Sequence, residues 1–200
     1  LAVPRPPNLV VIFADDLGFG DISCYHESGV DTPHIDQLAD EGFRSTDFFI
    51  PANVCSPSRA ALLTGRYPMR CGMPVARNEN VAKYKDYGIA DTELTIPELL
   101  RPAGYRSLMV GKWHLGMDFP GDSPSNRDWT QPTRDMPLDK GFDSFFGIPA
   151  SLNYGVLAWF DGRHAAVPPT LFTAKKPNAR HVDYRIRPPY QTVASDVRAR

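Results

Sequence analysis

An uninterrupted apolar run near the start of the chain constrains the fold more than any other feature. Residues 9–14 read Leu-Val-Val-Ile-Phe-Ala, and the run stops at Asp15 and Asp16. A short apolar run that is partly β-branched is typical of a parallel strand buried on both faces of a sheet. The run is also far shorter than the roughly 20 apolar residues of a membrane-spanning helix. We therefore expect a sheet protein with no membrane span.

Helix signals alternate with strand candidates further along the chain. The sequence predicts strands at 9–14, 43–50 and 105–110. Between the first two it predicts a helix that begins at Thr32 and Pro33 and ends at Gly42, and after the second a helix at 57–64 that Gly65 ends. A third helix begins at the capping pair Thr95 and Glu98 and ends at Gly104, with Pro102 near its end. Strands and helices that alternate predict an α/β fold: a mostly parallel sheet with helices on both faces.

Composition excludes some partners and leaves the later part of the chain less defined. The 200 residues carry a net charge of −1, which gives no electrostatic footprint for nucleic acid or an anionic membrane. Twenty prolines, about twice the usual share, indicate many fixed turns. Residues 118–137 and 161–190 are expected to be long loops, and residues 192–200 the start of a helix. No linker indicates a second domain.

The paired carboxylates of Asp15 and Asp16 are the first candidate for chemistry. Two adjacent carboxylates at the end of a buried strand are costly unless something compensates their charge. Oxygen ligands of this kind favour calcium or magnesium. Two solvated loop acids are the alternative, and the pair alone does not decide between them.

Cys55 is the second candidate. It precedes Pro57 at a predicted helix start, where backbone N–H groups and the helix dipole favour negative charge, and Arg59 follows four residues later. A cysteine in that place would be reactive, although a buried structural thiol is the common alternative. A phosphatase-like thiolate is a further alternative, but its phosphate-binding loop needs a wider spacing between cysteine and arginine.

Lys112 and His114 form the third candidate. They follow an apolar strand and lie two residues apart, so that both can face one side of extended backbone. A cation and an imidazole near a bound metal suit a sulfuryl or phosphoryl group that develops charge. Taken without the other motifs, a surface lysine and a structural histidine would be the preferred interpretation.

Five segments in order resemble motifs of the sulfatase family, in the alkaline phosphatase superfamily. Residues 55–66, Cys-Ser-Pro-Ser-Arg-Ala-Ala-Leu-Leu-Thr-Gly-Arg, resemble its C-x-P-x-R signature and the A-x-L-x-T-G-R extension. The others are a metal-binding strand at 11–18, a T-P-N-I-D-x-L-A helix at 32–39 with His34 in place of Asn, G-K-W-H-L-G at 111–116 and G-F-D-x-F-x-G at 141–147. The resemblance is strong over residues 8–151 and weak over 152–200. It implies that residues 1–200 are the N-terminal part of a single catalytic domain, incomplete at its C-terminus.

The resemblance implies a site and a reaction. Cys55 would be oxidised to formylglycine by a formylglycine-generating enzyme, and Asp15, Asp16 and the modified Cys55 would hold a calcium ion. One hydroxyl of the hydrated aldehyde would attack the sulfur of a sulfate ester, and the alcohol would leave. The other hydroxyl would then lose its proton, so that sulfate is expelled and the aldehyde returns.

Roles for four further residues follow from the same resemblance. Arg59 would steady the diol, Lys112 would bridge the diol and a sulfate oxygen, and His114 would assist the proton loss. Ser151 would contact sulfate. The family's later metal ligands and its second catalytic His and Lys are not matched here, so a longer chain or a second chain would supply them.

Substrate and compartment are expectations of a coarser kind. A sulfated carbohydrate is favoured over an aryl sulfate because the variable loops are long, and an extracytoplasmic location follows from the family. A phosphonate or phosphodiester hydrolase of the same superfamily, or an inactive binding fragment, is the alternative. Arginines on the loops that could meet a sulfated glycan, or could simply be solvated, are Arg77, Arg127, Arg134, Arg163 and Arg180.

Overall fold

The structure of the chain is a computed structural model, and it divides into two compact units. The residues it describes are 5–27, 29–73, 88–122, 126–151, 156–173 and 190–192. The first unit is Leu1–Phe49 and the second is Ile50–Arg200. Each unit is described by itself below.

The first unit is organised around the helix α1, Pro33–Glu41, and a 3₁₀ turn at Phe19–Asp21. Thr32 is the N-cap residue and Gly42 the C-cap residue, as predicted. The Asp36 carboxylate accepts hydrogen bonds from the Ser23 hydroxyl at 2.6 Å and the Thr32 hydroxyl at 3.0 Å. These bonds, the one from Ser23 first, lower the pKa of Asp36 against an opposing effect of desolvation. A polar network therefore ties the loop before α1 to the helix.

Both strands predicted for the first unit are wrong. Residues 9–14 and 43–50 carry no strand, and their apolar side chains are exposed, with Val10 and Ile12 each 84% accessible. The physical reason is that a strand needs a hydrogen-bonded neighbour. Within the described part of the first unit no strand is formed that could pair with these residues.

Both helices predicted for the second unit are present, with some shifts at their ends. The helix α2 is Cys55–Thr64, two residues longer at its start than predicted, and Gly65 ends it with φ of +64°. The helix α3 is Ile96–Leu100, and Thr95 and Glu98 form its capping box. A 3₁₀ turn at Arg101–Ala103 follows, as the proline within it requires.

The described residues of the second unit form two small sheets. Their strands are β1 Leu108–Lys112, β2 Ser144–Ile148, β3 Val156–Leu157, β4 Phe160–Asp161, β5 His164–Ala165, β6 Leu171–Thr173 and β7 Tyr190–Thr192. One sheet has the order β1-β2-β4-β5 and the other β3-β7-β6. The pairs β1–β2 and β3–β7 are parallel and the remaining pairs antiparallel. The α/β class is confirmed, with mixed sheets.

A buried core underlies the β1–β2 pair. Trp113, Phe145 and Phe160 are each 1% exposed or less, and Met73, Ile89, Leu115, Met117 and Met136 pack with them. Strand β1 begins three residues later than predicted and extends to Lys112. The helix predicted from residue 192 falls outside the described residues after Thr192, which ends β7. Across the described ranges, no helix has the length and apolarity to cross a bilayer.

Candidate active site

A buried guanidinium joins the helix α2 to the strand β1. Arg59 is 9% exposed, and its Nη1 donates a hydrogen bond to the backbone carbonyl of Lys112 at 2.5 Å. Cys55 lies four residues earlier in the same helix, and residues four apart share a helix face. The start of α2 and the end of β1 are therefore held together by a direct contact.

The parallel pairing continues past the end of β1. Lys112 lies opposite Ile148 in the register, after which the Trp113 N–H donates to the Ile148 carbonyl at 3.0 Å and the His114 N–H to the Pro149 carbonyl at 2.8 Å. Ser151 is half-buried and follows Pro149 by two residues. Lys112, His114 and the segment that leads to Ser151 thus lie where two parallel strands end, which is where open α/β sheets bind ligands.

His114 is held in an uncommon backbone conformation. It is 1% exposed and its φ is +60°, in the left-handed region that few residues other than glycine adopt. Trp113 beside it is fully buried, and its indole N–H donates to the Gly116 carbonyl at 2.6 Å. Residues in such conformations cluster at active sites, where the surrounding structure compensates the strain. Trp113 packs in the core of the second unit.

The start of α2 suits a negatively charged group. Cys55 is the first residue of this ten-residue helix, and its thiol is free and half-buried. The first turn of a helix presents N–H groups and the positive end of the dipole. Ser56 next to it is fully buried, and among the described residues its hydroxyl has no hydrogen-bond partner. The second unit thus combines a thiol, a guanidinium, an ammonium and an imidazole on connected elements.

Asp15 and Asp16 lie in the first unit, and their side chains are exposed. The φ of Asp16 is +57°, so the backbone turns sharply there. Two carboxylates are suitable ligands for a hard cation such as calcium, which takes six to eight oxygens. Within the described residues, no three His, Cys, Asp or Glu side chains are grouped as a metal site. The predicted set of Asp15, Asp16 and Cys55 spans both units and stays a prediction.

Three of the loop arginines have partners within the second unit. Arg163 forms an ion pair with Asp139 at 2.5 Å. Arg134 lies 3.8 Å from the Asp118 carboxylate, with 77% of its own side chain exposed. Arg127 lies over the Phe119 ring at 4.7 Å, and burial lowers its pKa to about 10. Arg77 and Arg180 lie outside the described residues.

Lys140 is a buried charged residue that sequence reasoning missed. Its side chain is 3% exposed, and its ammonium contacts the carboxylates of Asp91 at 2.6 Å and Asp135 at 3.1 Å. Desolvation lowers the pKa of Lys140, but the two carboxylates together outweigh it and raise that pKa. A lysine among aspartates in a loop is normally solvated, so no signal in the sequence distinguishes it.

Comparison with known proteins agrees with the motifs. The family model described as Sulfatase matches residues 7–157. Human arylsulfatase A is 45% identical over 161 residues, covering 78% of this chain and 28% of that protein. Mouse steryl-sulfatase is 43% identical over 150 residues, covering 74% and 23%. Human N-acetylgalactosamine-6-sulfatase is 42% identical over 150 residues, covering 73% and 26%.

Solved structures give the same result. A structure from work on glycosaminoglycan metabolism by Bacteroides thetaiotaomicron matches with a TM-score of 0.69 at 35% identity, covering 84% of this chain and 33% of that one. Ps i-CgsB matches with a TM-score of 0.56 at 32% identity, covering 74% and 28%. The chain spans about a quarter of the length of the curated relatives it matches. On the family model, the relatives and the solved structures alike, the chain belongs to the sulfatase family.

Proposed function

We infer that the protein carrying this chain hydrolyses a sulfate ester and releases inorganic sulfate. The hydrogen bond from Arg59 to the Lys112 carbonyl is the observation that carries the proposal. It brings the C-x-P-x-R helix to the strand end from which Lys112 and His114 extend. Cys55, Arg59, Lys112 and His114 then act as one site, and Ser151 borders it.

The proposed nucleophile derives from Cys55. Conversion of its side chain to formylglycine supplies a hydrated aldehyde, whose hydroxyl is an oxygen nucleophile for sulfur. The position of Cys55 in the first turn of α2 supports this proposal, because the helix N-terminus stabilises negative charge on the oxygens that replace the sulfur. Arg59, one turn later, adds a fixed positive charge on the same helix face.

Lys112 and His114 act on the ester itself. The Lys112 ammonium offsets charge on a sulfate oxygen as the alcohol leaves. The His114 imidazole accepts the proton whose loss expels sulfate, since a histidine titrates near neutral pH. The fixed backbone of His114 serves this step, because proton transfer needs an acceptor in one geometry. Ser151 donates a hydrogen bond to sulfate from the continuation of β2.

Calcium fits the donor chemistry of Asp15 and Asp16, which together with the modified Cys55 would hold it. Bound there, the ion would polarise the sulfate oxygens and favour charge on the nucleophile. The two carboxylates fall short of a full calcium shell. Further ligands therefore have to come from outside this pair, and the later part of a longer chain is the proposed source.

A sulfated carbohydrate is the proposed substrate class. One relative is named for N-acetylgalactosamine 6-sulfate, and one solved structure comes from glycosaminoglycan metabolism, which supports this choice. The exposed Arg134 guanidinium is available to an anionic glycan, whereas Arg163 is occupied by Asp139. An extracytoplasmic location and maturation by a formylglycine-generating enzyme complete the proposal.

The first test removes the proposed nucleophile. In the complete protein, Cys55→Ala should reduce sulfate release from a chromogenic aryl sulfate by a factor of about 10⁴ or more, as loss of a covalent nucleophile does. Cys24→Ala removes another half-buried free thiol and should leave the rate within about twofold, the scale of a surface change. Activity that survives Cys55→Ala would exclude this mechanism.

The second test concerns the metal and the ester. Removal of calcium with a chelator should abolish turnover, and calcium should restore it. The rate on sulfate esters should exceed the rate on phosphonates and phosphodiesters. A reversed preference would favour the other hydrolases of the superfamily, and a complete protein without turnover of either class would favour an inactive relative.

A further inference from the structure

The buried Lys140 ammonium joins two separate segments of the second unit. Lys140 ends a 3₁₀ turn, and its contacts with Asp91 at 2.6 Å and Asp135 at 3.1 Å lie 49 and 5 residues away along the chain. A buried ammonium is costly unless carboxylates pair with it. The Asp91 side chain is 94% exposed and that of Asp135 28%, so the desolvation that this pairing offsets is mainly that of Lys140. Lys140 thus holds both segments at one point.

The first of these segments packs against the residue that follows His114. A Cβ added to Gly88 would lie 2.3 Å from the Leu115 carbonyl oxygen and 3.5 Å from the Asp135 carboxylate. The backbone at Gly88 is therefore in direct contact with the backbone just after His114. Asp91, three residues later, is the point at which Lys140 holds this segment.

The second segment, which contains Asp135, pairs with Asp118, four residues after His114. Arg134 and Asp118 exchange two backbone hydrogen bonds, at 2.7 and 3.0 Å. Asp135 follows directly, with φ of +47° in the left-handed region. The φ of His114 lies in that region as well. Asp135 and His114 are not glycines, so each keeps this backbone conformation only because the surrounding structure enforces it.

We propose that Lys140 is a positioning residue for His114, acting through Asp91 and Asp135 on the backbone of residues 115–118. The proposal rests on the proposed function, because it assigns His114 the proton transfer that releases sulfate. Lys140 takes no part in the chemistry itself. It keeps the two segments in place, and they in turn keep the His114 imidazole in its reactive orientation.

The test is Lys140→Met in the complete protein, which keeps most of the length of the side chain and removes the charge. The kcat for an aryl sulfate should fall about 10- to 100-fold, the effect of a small misplacement of a catalytic group, while KM stays within about twofold. The limb of the pH–kcat profile assigned to His114 should shift. Lys140→Arg should restore most of the activity, because a guanidinium can bridge two carboxylates.

Arg163→Met is the matched control. It removes the neighbouring ion pair with Asp139 and a long hydrogen bond, 3.3 Å, to the Thr133 carbonyl, while both carboxylate contacts of Lys140 remain. If those contacts alone hold the segment, kcat should stay within about twofold of the wild-type value. An equal loss in Lys140→Met and Arg163→Met, or a wild-type kcat and pH profile in Lys140→Met, would overturn the proposal. If Lys140→Met does not fold, Asp135→Asn takes its place: a kcat loss with unchanged KM supports the proposal, and a wild-type kcat overturns it.

Hydrogen exchange separates this proposal from the proposed function. Peptides covering residues 113–118 should exchange faster in Lys140→Met than in wild type or Arg163→Met, whether or not the protein turns over sulfate esters. A wild-type protein without sulfatase activity that still shows this difference would contradict the function and leave the positioning network supported. Unchanged exchange in an active protein would contradict the network alone.

Discussion

The two units of the chain are stabilised by different interactions. In the first unit, Ser23, Thr32 and Asp36 form a polar network, and α1 has no buried side chain. In the second unit, Trp113 and Phe145 lie in a core of fully buried apolar side chains. Dense packing fixes side-chain positions in the second unit, whereas the part-buried hydrogen bonds of the first unit join a loop to α1 without a packed core around them. The proposed catalytic residues Cys55, Arg59, Lys112 and His114 therefore lie on the packed elements of the second unit.

The candidate site residues follow the same division. Arg59 and His114 are buried and held by contacts to defined backbone groups. Asp15 and Asp16 are exposed. Substitutions that disturb packing should therefore lower the free energy of unfolding much more in the second unit than in the first.

Gly147→Ala should have the largest effect on stability. Its added Cβ would lie 1.8 Å from the Gly111 carbonyl oxygen and 2.8 Å from the Phe145 ring. Neither the strand backbone nor the buried ring can move away cheaply, so we expect a loss of at least about 3 kcal/mol in the free energy of unfolding. Gly20→Ala in the first unit meets nothing within 4 Å and should change it by less than about 0.5 kcal/mol. Equal losses in denaturant unfolding would refute the contrast.

Arg59→Met should affect both stability and activity. It removes the charged donor to the Lys112 carbonyl, at a cost of about 2–3 kcal/mol. It also separates α2 from the end of β1, so kcat should fall about 10²- to 10³-fold. Arg59→Lys should not restore activity, because an ammonium lacks the planar fork. Thermal unfolding and sulfate release check the two effects, and full activity in Arg59→Met would show that this contact is dispensable.

Trp113→Phe tests a single buried hydrogen bond. It keeps most of the side-chain volume and leaves the Gly116 carbonyl without the indole donor, which should cost about 1–3 kcal/mol. The control is Trp159→Phe, which keeps an aromatic ring stacked on Phe146 at a position that is 53% exposed. Its effect should be below about 0.5 kcal/mol. Similar losses in chemical denaturation would mean that the indole bond contributes nothing specific.

The smallest effect is expected from the titration of Asp36. Its pKa is lowered by hydrogen bonds, so its contribution to stability is present above the pKa of the unfolded chain, about 3.9, and is lost as the pH falls through the folded value. A carboxyl ¹³C titration should give a midpoint below about 3.9, the value for an unfolded chain. Ser23→Ala should move the midpoint back toward 3.9, and an unchanged midpoint would show that this network is not formed.

Local signals in the sequence predicted the helices well. The capping box of Thr95 and Glu98 and the stop at Gly65 act within one turn, so the residues alone determine them. The strand predicted at 9–14 is not formed in the structure. A strand depends on a pairing partner that can lie far away in the chain, and local signals do not report whether that partner is present. The end of β1 was predicted two residues short, since Gly111 and Lys112 carry no apolar signal although they pair with β2.

The candidate site was predictable where motifs carry it. Arg59, Lys112 and His114 were predicted as site residues from the sequence, and the structure brings the two segments that carry them, α2 and the end of β1, into contact. Lys140 was not predictable, because its burial depends on two aspartates that the fold brings together. The left-handed backbone of His114 is likewise a property of the packed loop rather than of the residue.

The most direct test of the account is the mass of the peptide that contains Cys55, measured on active protein from its native producer. We predict that the CH₂–SH group has become an aldehyde, which a carbonyl-specific reagent labels, and that the modified fraction of the molecules matches the active fraction. A fully active protein in which every such peptide keeps its thiol would contradict it.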